Sequence, residues 1–155
     1  MKNKIFVPMF VFGLSIILPA TFVAAAEVQP IHLEKLDENT DFQIGCSCAI
    51  SNKLGEYLVF SEPEANAPAI VRIDGVKKEL KAVSSTQKSR TPRLGDRFYK
   101  TYSLGKIKMR VNYNTTFVCS APDNSCEVTR YSVDIRLEEG KRKNVLTDLL
   151  GECGC

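Results

Sequence analysis

The sequence has no tryptophan, and His32 is the only histidine among its 155 residues. A catalytic triad that uses histidine would have to rely on His32, and no nucleophile motif accompanies it. The Gly-x-Ser-x-Gly, His-Glu-x-x-His, phosphate-loop and EF-hand patterns are also missing. These absences predict a protein without enzymatic activity, without a metal site and without a cofactor.

Beyond the first 26 residues, the chain lacks an apolar run that could span a membrane. The N-terminus has the three parts of a secretory signal peptide: basic MKNK, apolar IFVPMFVFGLSIIL and a cleavage site at Ala24–Ala26. The apolar run is shorter than the roughly 20 residues of a membrane helix. We therefore expect residues 1–26 to be a signal peptide. Residues 27–155 would then form one exported domain, in the periplasm or outside the cell, without stable membrane insertion. The start of the signal, MKNKIF, suggests a bacterial protein.

The exported part also lacks a strong net charge. Without Lys2 and Lys4, 19 of the 21 basic residues remain against 18 acids. The distribution is uneven, because residues 27–66 carry eight acids and two bases, whereas residues 77–110 carry eleven bases and two acids. Such asymmetry indicates either a binding face or two oppositely charged segments that are neighbours in the fold. Export argues against a nucleic-acid partner.

All six cysteines lie in the exported part, and their even number predicts a disulfide framework. Cys119 and Cys126 bracket a polar turn between two strand-like runs, so we expect a bond between them. The other four cysteines form two doublets, Cys46-Ser-Cys48 and Cys153-Gly-Cys155.

Two residues apart on a strand, the cysteines of a doublet point to one face. Antiparallel strands would join Cys46 to Cys155 and Cys48 to Cys153, and parallel strands would exchange these partners. A four-thiolate zinc site and a redox dithiol are the alternatives. The single-residue spacing is tighter than in most zinc sites, and neither doublet stands at a recognisable helix N-terminus.

Alternating apolar and polar residues predict an all-β fold of about seven to eight antiparallel strands, as a small sandwich or barrel. In KIKMRVNY and YSVDIRL the apolar face consists of Ile107, Met109, Val111 and Tyr113, and of Tyr131, Val133, Ile135 and Leu137. Asp74-Gly75 predicts a tight hairpin turn. LEKLDEN, residues 33–39, favours a helical turn. Lys106, Lys108 and Arg110 are interpreted as the solvated face of a strand.

The longest segment without a strand pattern is SSTQKSRTPRLGD, residues 84–96. Loops of this length in a compact domain are often functional. Its bases and the acid near its end make Arg90, Arg93, Asp96 and Arg97 the candidate binding residues.

The segment RIDGVKKELKAV resembles the strand–Asp-Gly–strand segment of bacterial periplasmic lysozyme inhibitors, which share the layout of signal peptide, antiparallel strands and terminal disulfide. The resemblance covers about a dozen residues and implies a binding function. A Ser-Gly inhibitory motif is expected in that family, and the basic SSTQKSRTPRLGDRFY stands in its place. Acidic residues would suit a cationic lysozyme better.

We therefore expect a non-enzymatic binding module for a protein or an anionic envelope component. A structural subunit of an envelope assembly, pairing through exposed edge strands, is the first alternative. A thiol- or metal-handling protein that uses the Cys-x-Cys doublets is the second. The residues do not indicate an oligomeric state.

Overall fold

The computed structural model describes residues 28–37, 46–62, 66–88, 92–119 and 128–154. The described residues form nine strands: β1 (Leu33–Glu34), β2 (Ser47–Ser51), β3 (Tyr57–Ser61), β4 (Ala69–Ile73), β5 (Val76–Ser85), β6 (Arg97–Leu104), β7 (Ile107–Val118), β8 (Thr129–Glu139) and β9 (Arg142–Gly154). The predicted signal peptide, residues 1–26, lies outside the described residues, so export stays a prediction.

Strands β2 to β9 form a closed, eight-stranded antiparallel barrel. Each strand pairs with the next one in the chain, and β9 returns to pair with β2. The short β1 is an extra strand beside β4. The predicted all-β class is confirmed, and between the two predicted architectures the structure shows the barrel.

The hairpin between β4 and β5 turns at Asp74 and Gly75. Both residues have positive φ angles, 48° and 78°. Aspartate tolerates this conformation better than most side chains, and glycine adopts it without a steric penalty. The prediction of a hairpin from this dipeptide is confirmed.

Strict alternation along β7 and β8 fills the barrel. The predicted inward residues of both strands are buried: Ile107, Met109, Val111, Tyr113, Tyr131, Val133, Ile135 and Leu137. An eight-stranded barrel is just wide enough for its side chains to fill the interior. The apolar pattern therefore determines which side of each strand faces the core.

The barrel interior is closed by the N-terminal segment at one end and contains a pair of hydrogen-bonded tyrosines. The N-terminal segment covers one end, where Ile31 is fully buried and the Asn144 side-chain amide donates to its carbonyl at 2.9 Å. Further along the interior, the Tyr113 hydroxyl donates a hydrogen bond to Tyr102, which also bonds Ser61. Burial, followed by the neighbouring Tyr102, raises the pKa of Tyr113 well above its usual value.

The predicted helical turn over residues 33–39 is wrong within the part that is described. Leu33 and Glu34 pair instead with Ile73 and Arg72 of β4. Leu33 is buried, and the backbone N–H of Leu36 donates to the Tyr57 carbonyl at 2.7 Å. Pairing with the barrel therefore overrides the local helical pattern, because it satisfies backbone groups and buries leucine together.

The predicted non-strand segment 84–96 is also too long, since Ser84 and Ser85 belong to β5. Both residues pair with β6, at Thr101 and Lys100. The alternation that marks a strand is interrupted by a register shift between Ala82 and Ser84. Such a bulge hides the end of a strand from pattern reading.

The barrel closes at a disulfide between Cys48 and Cys153. The two residues are cross-strand partners of antiparallel β2 and β9, with Cα atoms 4.0 Å apart. Of the two strand arrangements left open by the sequence, the structure shows the antiparallel one for this pair. Cys46 and Cys119 are also disulfide-bonded. Their predicted partners, Cys155 and Cys126, lie outside the described residues, so those two pairings stay predictions.

Candidate anion-binding face

The second half of the predicted binding loop is a tight turn fastened to the sheet. The backbone N–H of Arg93 donates to Asp96 Oδ2 at 2.8 Å, and the N–H of Asp96 returns to the Arg93 carbonyl at 3.0 Å. Thr115 of β7 exchanges backbone hydrogen bonds of 2.9 Å with Gly95 and Asp96. The Asp96 carboxylate therefore stabilises the turn, while the Arg93 side chain is exposed.

Arg97 follows this turn as the first residue of β6, so a rigid strand positions it. Arg90 lies outside the described residues. Of the described candidates, Arg93 and Arg97 lie on either side of one turn, and Asp96 belongs to that turn. Arg97 points outward and faces Asn114 of β7, which faces Ser132 of β8.

A second cross-strand row lies beside the first and contains Tyr99, Asn112 and Asp134. The two rows line an open groove of about 470 Å³ on the outside of the barrel. The groove is polar because outward positions of β6, β7 and β8 alternate with core positions. Its side chains supply both hydrogen-bond donors and acceptors.

Arg110 is held rigidly at the edge of this groove. Its guanidinium lies over the Tyr99 ring, 3.8 Å from the centroid, and its Nε donates to Asn112 Oδ1 at 3.2 Å. The terminal nitrogens make no hydrogen bond within the described residues. A guanidinium with a stacked face and a fixed Nε is oriented for a ligand at low cost in side-chain entropy.

Arg136 stands directly opposite Arg110 across β7 and β8. Like charges in this arrangement repel and are normally destabilising. Arg97 and Arg136 form no ion pair with any acid that the structure describes. Arg110 likewise forms no ion pair with a described acid, so a bound anion would stabilise the opposed pair of Arg110 and Arg136.

We call this surface the arginine face. It consists of the outward side chains of three strands: Arg97, Tyr99, Arg110, Asn112, Asn114, Ser132, Asp134 and Arg136. Lys108 and Glu138 continue it along the strands, and Glu138 lies 3.9 Å from Lys143. Asp134 is its one acid, against three arginines. Lys100, a base of the same sequence region, is buried with 4% exposure and does not contribute.

Two arginines elsewhere on the described surface, Arg130 and Arg142, are neutralised by acids. Arg142 contacts Asp74 at 2.7 Å and Glu139 at 2.9 Å, and Arg130 contacts Glu152 at 2.9 Å. The ion pair of Arg130 lies in a larger depression of about 960 Å³ over β2, β3, β8 and β9. That depression has no other charged lining residue, so it lacks the excess positive charge of the arginine face.

Sequence reading identified Arg97 but missed Arg110 and Arg136. It placed Arg110 on the solvated face of a strand. Arg110 is indeed exposed, but this interpretation did not include its contacts with residues of the neighbouring strands. The available signal was the occurrence of bases at alternate positions of adjacent strands, together with Tyr99. The register that places Arg110 against Arg136 is a tertiary property, so no local pattern reveals it.

Metal and catalytic chemistry gain no support from the described residues. They contain no group of three or more histidine, cysteine, aspartate or glutamate side chains that could hold a metal ion. His32 is exposed, and only its backbone bonds Asp74, at 3.1 Å. Within the same residues, no helix has the length and apolar character needed to cross a membrane.

No protein-family model, curated protein or solved structure matches this chain. The resemblance to lysozyme inhibitors is therefore not accompanied by a family assignment. Any function has to be argued from the geometry of the arginine face itself.

Proposed function

We propose that this chain is an exported, non-enzymatic binding protein. Its arginine face would bind an anionic envelope component or an anionic protein surface. One observation carries the proposal. Arg97, Arg110 and Arg136 share one rigid outer surface, and Arg110 and Arg136 are directly opposed. Charge-assisted hydrogen bonds to an anion would relieve that repulsion and use the free guanidinium nitrogens.

The spacing of the arginines favours an extended ligand. Arg97 pairs with Asn114, which is four residues from Arg110 along β7. At about 3.3 Å per residue, the two positions are roughly 13 Å apart. A chain of anionic groups fits this separation better than one small ion. Disulfides among the described cysteines support the oxidising compartment in which such a ligand would occur.

The two alternatives, a structural subunit of an envelope assembly and a thiol- or metal-handling protein, have less support. Each strand of the barrel has a neighbour on both sides, which leaves little free edge for pairing with another subunit. The described cysteines contain no free thiol for metal or redox chemistry. The first observation argues against assembly through strand edges, and the second argues against thiol or metal chemistry. The arginine face is therefore the feature to test.

The test compares two triple variants that lose the same charge. Arg97→Ser/Arg110→Ser/Arg136→Ser removes the face, and Lys35→Ser/Lys53→Ser/Lys141→Ser removes three exposed lysines elsewhere. Binding to immobilised polyphosphate and polygalacturonate is measured at several salt concentrations. The arginine variant should bind at least about tenfold more weakly, and the lysine variant should stay near the unmodified protein.

Binding of the unmodified protein should also weaken as salt rises, since exposed charges are screened beyond about 10 Å at 0.1 M ionic strength. Melting temperatures of both variants serve as the folding control. Equal losses in the two variants would show a response to net charge alone and would contradict the assignment of the face.

A further inference from the structure

A small cavity adjoins the arginine face on the side of the loop between β5 and β6. Its volume is about 250 Å³, and its lining residues are Thr86, Gln87, Lys88, Pro92, Gly95, Asp96, Arg97 and Phe98. Thr86, Arg97 and Phe98 also line the groove of the arginine face. Cavity and groove are therefore adjacent, and Arg97 borders both.

One residue that lines the cavity, Gln87, has a side-chain acceptor that lacks a donor. The side-chain oxygen Oε1 of Gln87 is buried and has no hydrogen-bond partner among the residues described. Buried polar atoms in native proteins are nearly always bonded, so an exception needs an explanation. A ligand that donates an O–H or N–H group at this point supplies one.

Gln87 is held in place by the strands around it. Its backbone N–H donates to Ser85 Oγ at 3.1 Å. The preceding Thr86 exchanges two hydrogen bonds of 3.0 Å with Tyr99, one through its N–H and one through its hydroxyl oxygen. The backbone at Gln87 is thus held just beyond the end of β5, beside the strand that carries Arg97.

The charges around the cavity are Lys88, Arg97 and Asp96. Two bases against one acid leave an excess of positive charge at the cavity. The ligand must then combine negative charge, for Arg97, with a hydrogen-bond donor, for Gln87. A sulfate or a phosphodiester has no donor. A sugar ring with an acidic substituent has hydroxyl donors and a negative charge within one unit.

The size of the cavity agrees with one such unit. Pockets for drug-sized ligands hold roughly 300–1,000 Å³, and this cavity lies just below that range. The adjoining groove continues with Asn114, Ser132 and Asp134, which accept and donate hydrogen bonds as hydroxyl-rich ligands require. The Asp134 carboxylate would repel a ligand that carries only negative groups, but it can accept hydrogen bonds from the hydroxyl groups of a sugar.

We propose that the cavity binds one residue of an acidic polysaccharide, which makes the ligand of the arginine face a glycan. A ring hydroxyl donates to Gln87 Oε1, the acidic group lies against Arg97, and the next residues extend along the groove towards Arg110. The inference rests on the proposed function. It adds that recognition needs hydroxyl groups as well as charge.

The experiment uses the exported protein and three probes: a galacturonic acid oligomer, a glucose phosphate and inorganic polyphosphate. The first two distinguish a carboxylate from a phosphate as the acidic group, and the third carries charge without a sugar ring. Gln87→Leu removes the acceptor and keeps every charge. Gln29→Leu, at an exposed position of the N-terminal segment, is the matched control.

At least one sugar probe should bind more tightly, per charge, than polyphosphate. Gln87→Leu should weaken that sugar binding by about fivefold to tenfold, as expected for one lost hydrogen bond, and leave polyphosphate binding unchanged. Gln29→Leu should change neither, and the melting temperatures of both variants should establish that they fold.

The remaining outcomes separate the two proposals. If polyphosphate binds as well as the sugars and Gln87→Leu has no effect, the glycan inference is overturned and the anion-binding function stands. If no probe binds under low salt, the proposed function fails and the inference fails with it.

Discussion

At the scale of single residues, Gly151 is a position where the barrel wall closely approaches its own core. An added Cβ atom at this position would lie 2.8 Å from Val133 Cγ2 and 3.3 Å from Tyr131 Cβ. Gly151 pairs with both Tyr131 of β8 and Ile50 of β2, next to the closing seam. Glycine therefore lets the wall approach a filled interior.

We expect Gly151→Ala to destabilise the protein by about 1–3 kcal/mol, the usual cost of overpacking a core. The sign of this change in unfolding free energy is informative. Without the close contact, alanine would stabilise the strand relative to glycine, because it restricts the unfolded chain. Urea unfolding measures the change. Leu150→Ala, on the neighbouring outward and exposed position, is the control and should cost much less. A neutral or stabilising Gly151→Ala would mean that Val133 moves aside freely.

The two residues of the arginine face that local sequence patterns did not single out, Arg110 and Arg136, belong to this scale as well. Each is an ordinary exposed base when its own strand is considered. Only the contact with Tyr99 and the position opposite one another distinguish them. Arg97 was predicted because it followed a conspicuous loop.

At the scale of elements, the β4–β5 hairpin fastens the N-terminal segment to the barrel. Asp74, at its turn, accepts a hydrogen bond from the His32 N–H at 3.1 Å and contacts Arg142 at 2.7 Å. Burial alone would raise the pKa of Asp74, but the His32 hydrogen bond and Arg142 together hold it below its usual 3.8. The hairpin, the N-terminal segment and β9 meet at this one carboxylate.

A lowered pKa in the folded protein means that Asp74 contributes stability above pH 3.8. That contribution is lost as pH falls below this value and the carboxylate becomes protonated. We expect a double-mutant cycle of Asp74→Asn and Arg142→Gln to show coupling at neutral pH that disappears in acid. Since Asp74 is 36% exposed, solvent screening should keep this coupling small.

The pair of Lys53 and Asp148 offers a comparison for this measurement. Its atoms are 3.4 Å apart, and both side chains are 74% exposed. Its coupling should be close to zero at every pH, because solvent screens it. Equal coupling in the two pairs, or a coupling of Asp74 that persists in acid, would contradict the assignment.

At the scale of the whole molecule, the bond between Cys48 and Cys153 joins strands from opposite ends of the chain. It closes a loop with a sequence separation of 105 residues. In the chain-entropy model, closing a loop of about 100 residues stabilises the fold by nearly 5 kcal/mol. A second bond between Cys46 and Cys155 would close almost the same loop, so it would add little.

We therefore expect replacement of Cys48 and Cys153 by alanine to cost far less than replacement of all four doublet cysteines. The four-fold variant should lose about 2–5 kcal/mol, the range for native disulfides of small secreted domains. Urea unfolding and disulfide mapping by mass spectrometry measure both effects. If the two variants are equally unstable, Cys46 does not bond Cys155.

Local sequence patterns were sufficient to predict much of the fold. The sequence by itself determined which residues of β7 and β8 face inward, because the side-chain period of a strand is two. It also determined the Asp74-Gly75 turn, because only a few residue types accept positive φ angles. The disulfide chemistry followed from the number of cysteines and the predicted compartment.

Tertiary structure alone decided the closure and register of the barrel. The pattern of residues 33–39 favours a helix, yet pairing with β4 makes Leu33–Glu34 a strand, since long-range backbone bonds outweigh local propensity. The choice between sandwich and barrel depended on whether β9 pairs with β2, which no single segment encodes. The arginine face has the same origin, because Arg97, Arg110 and Arg136 become neighbours only through cross-strand register.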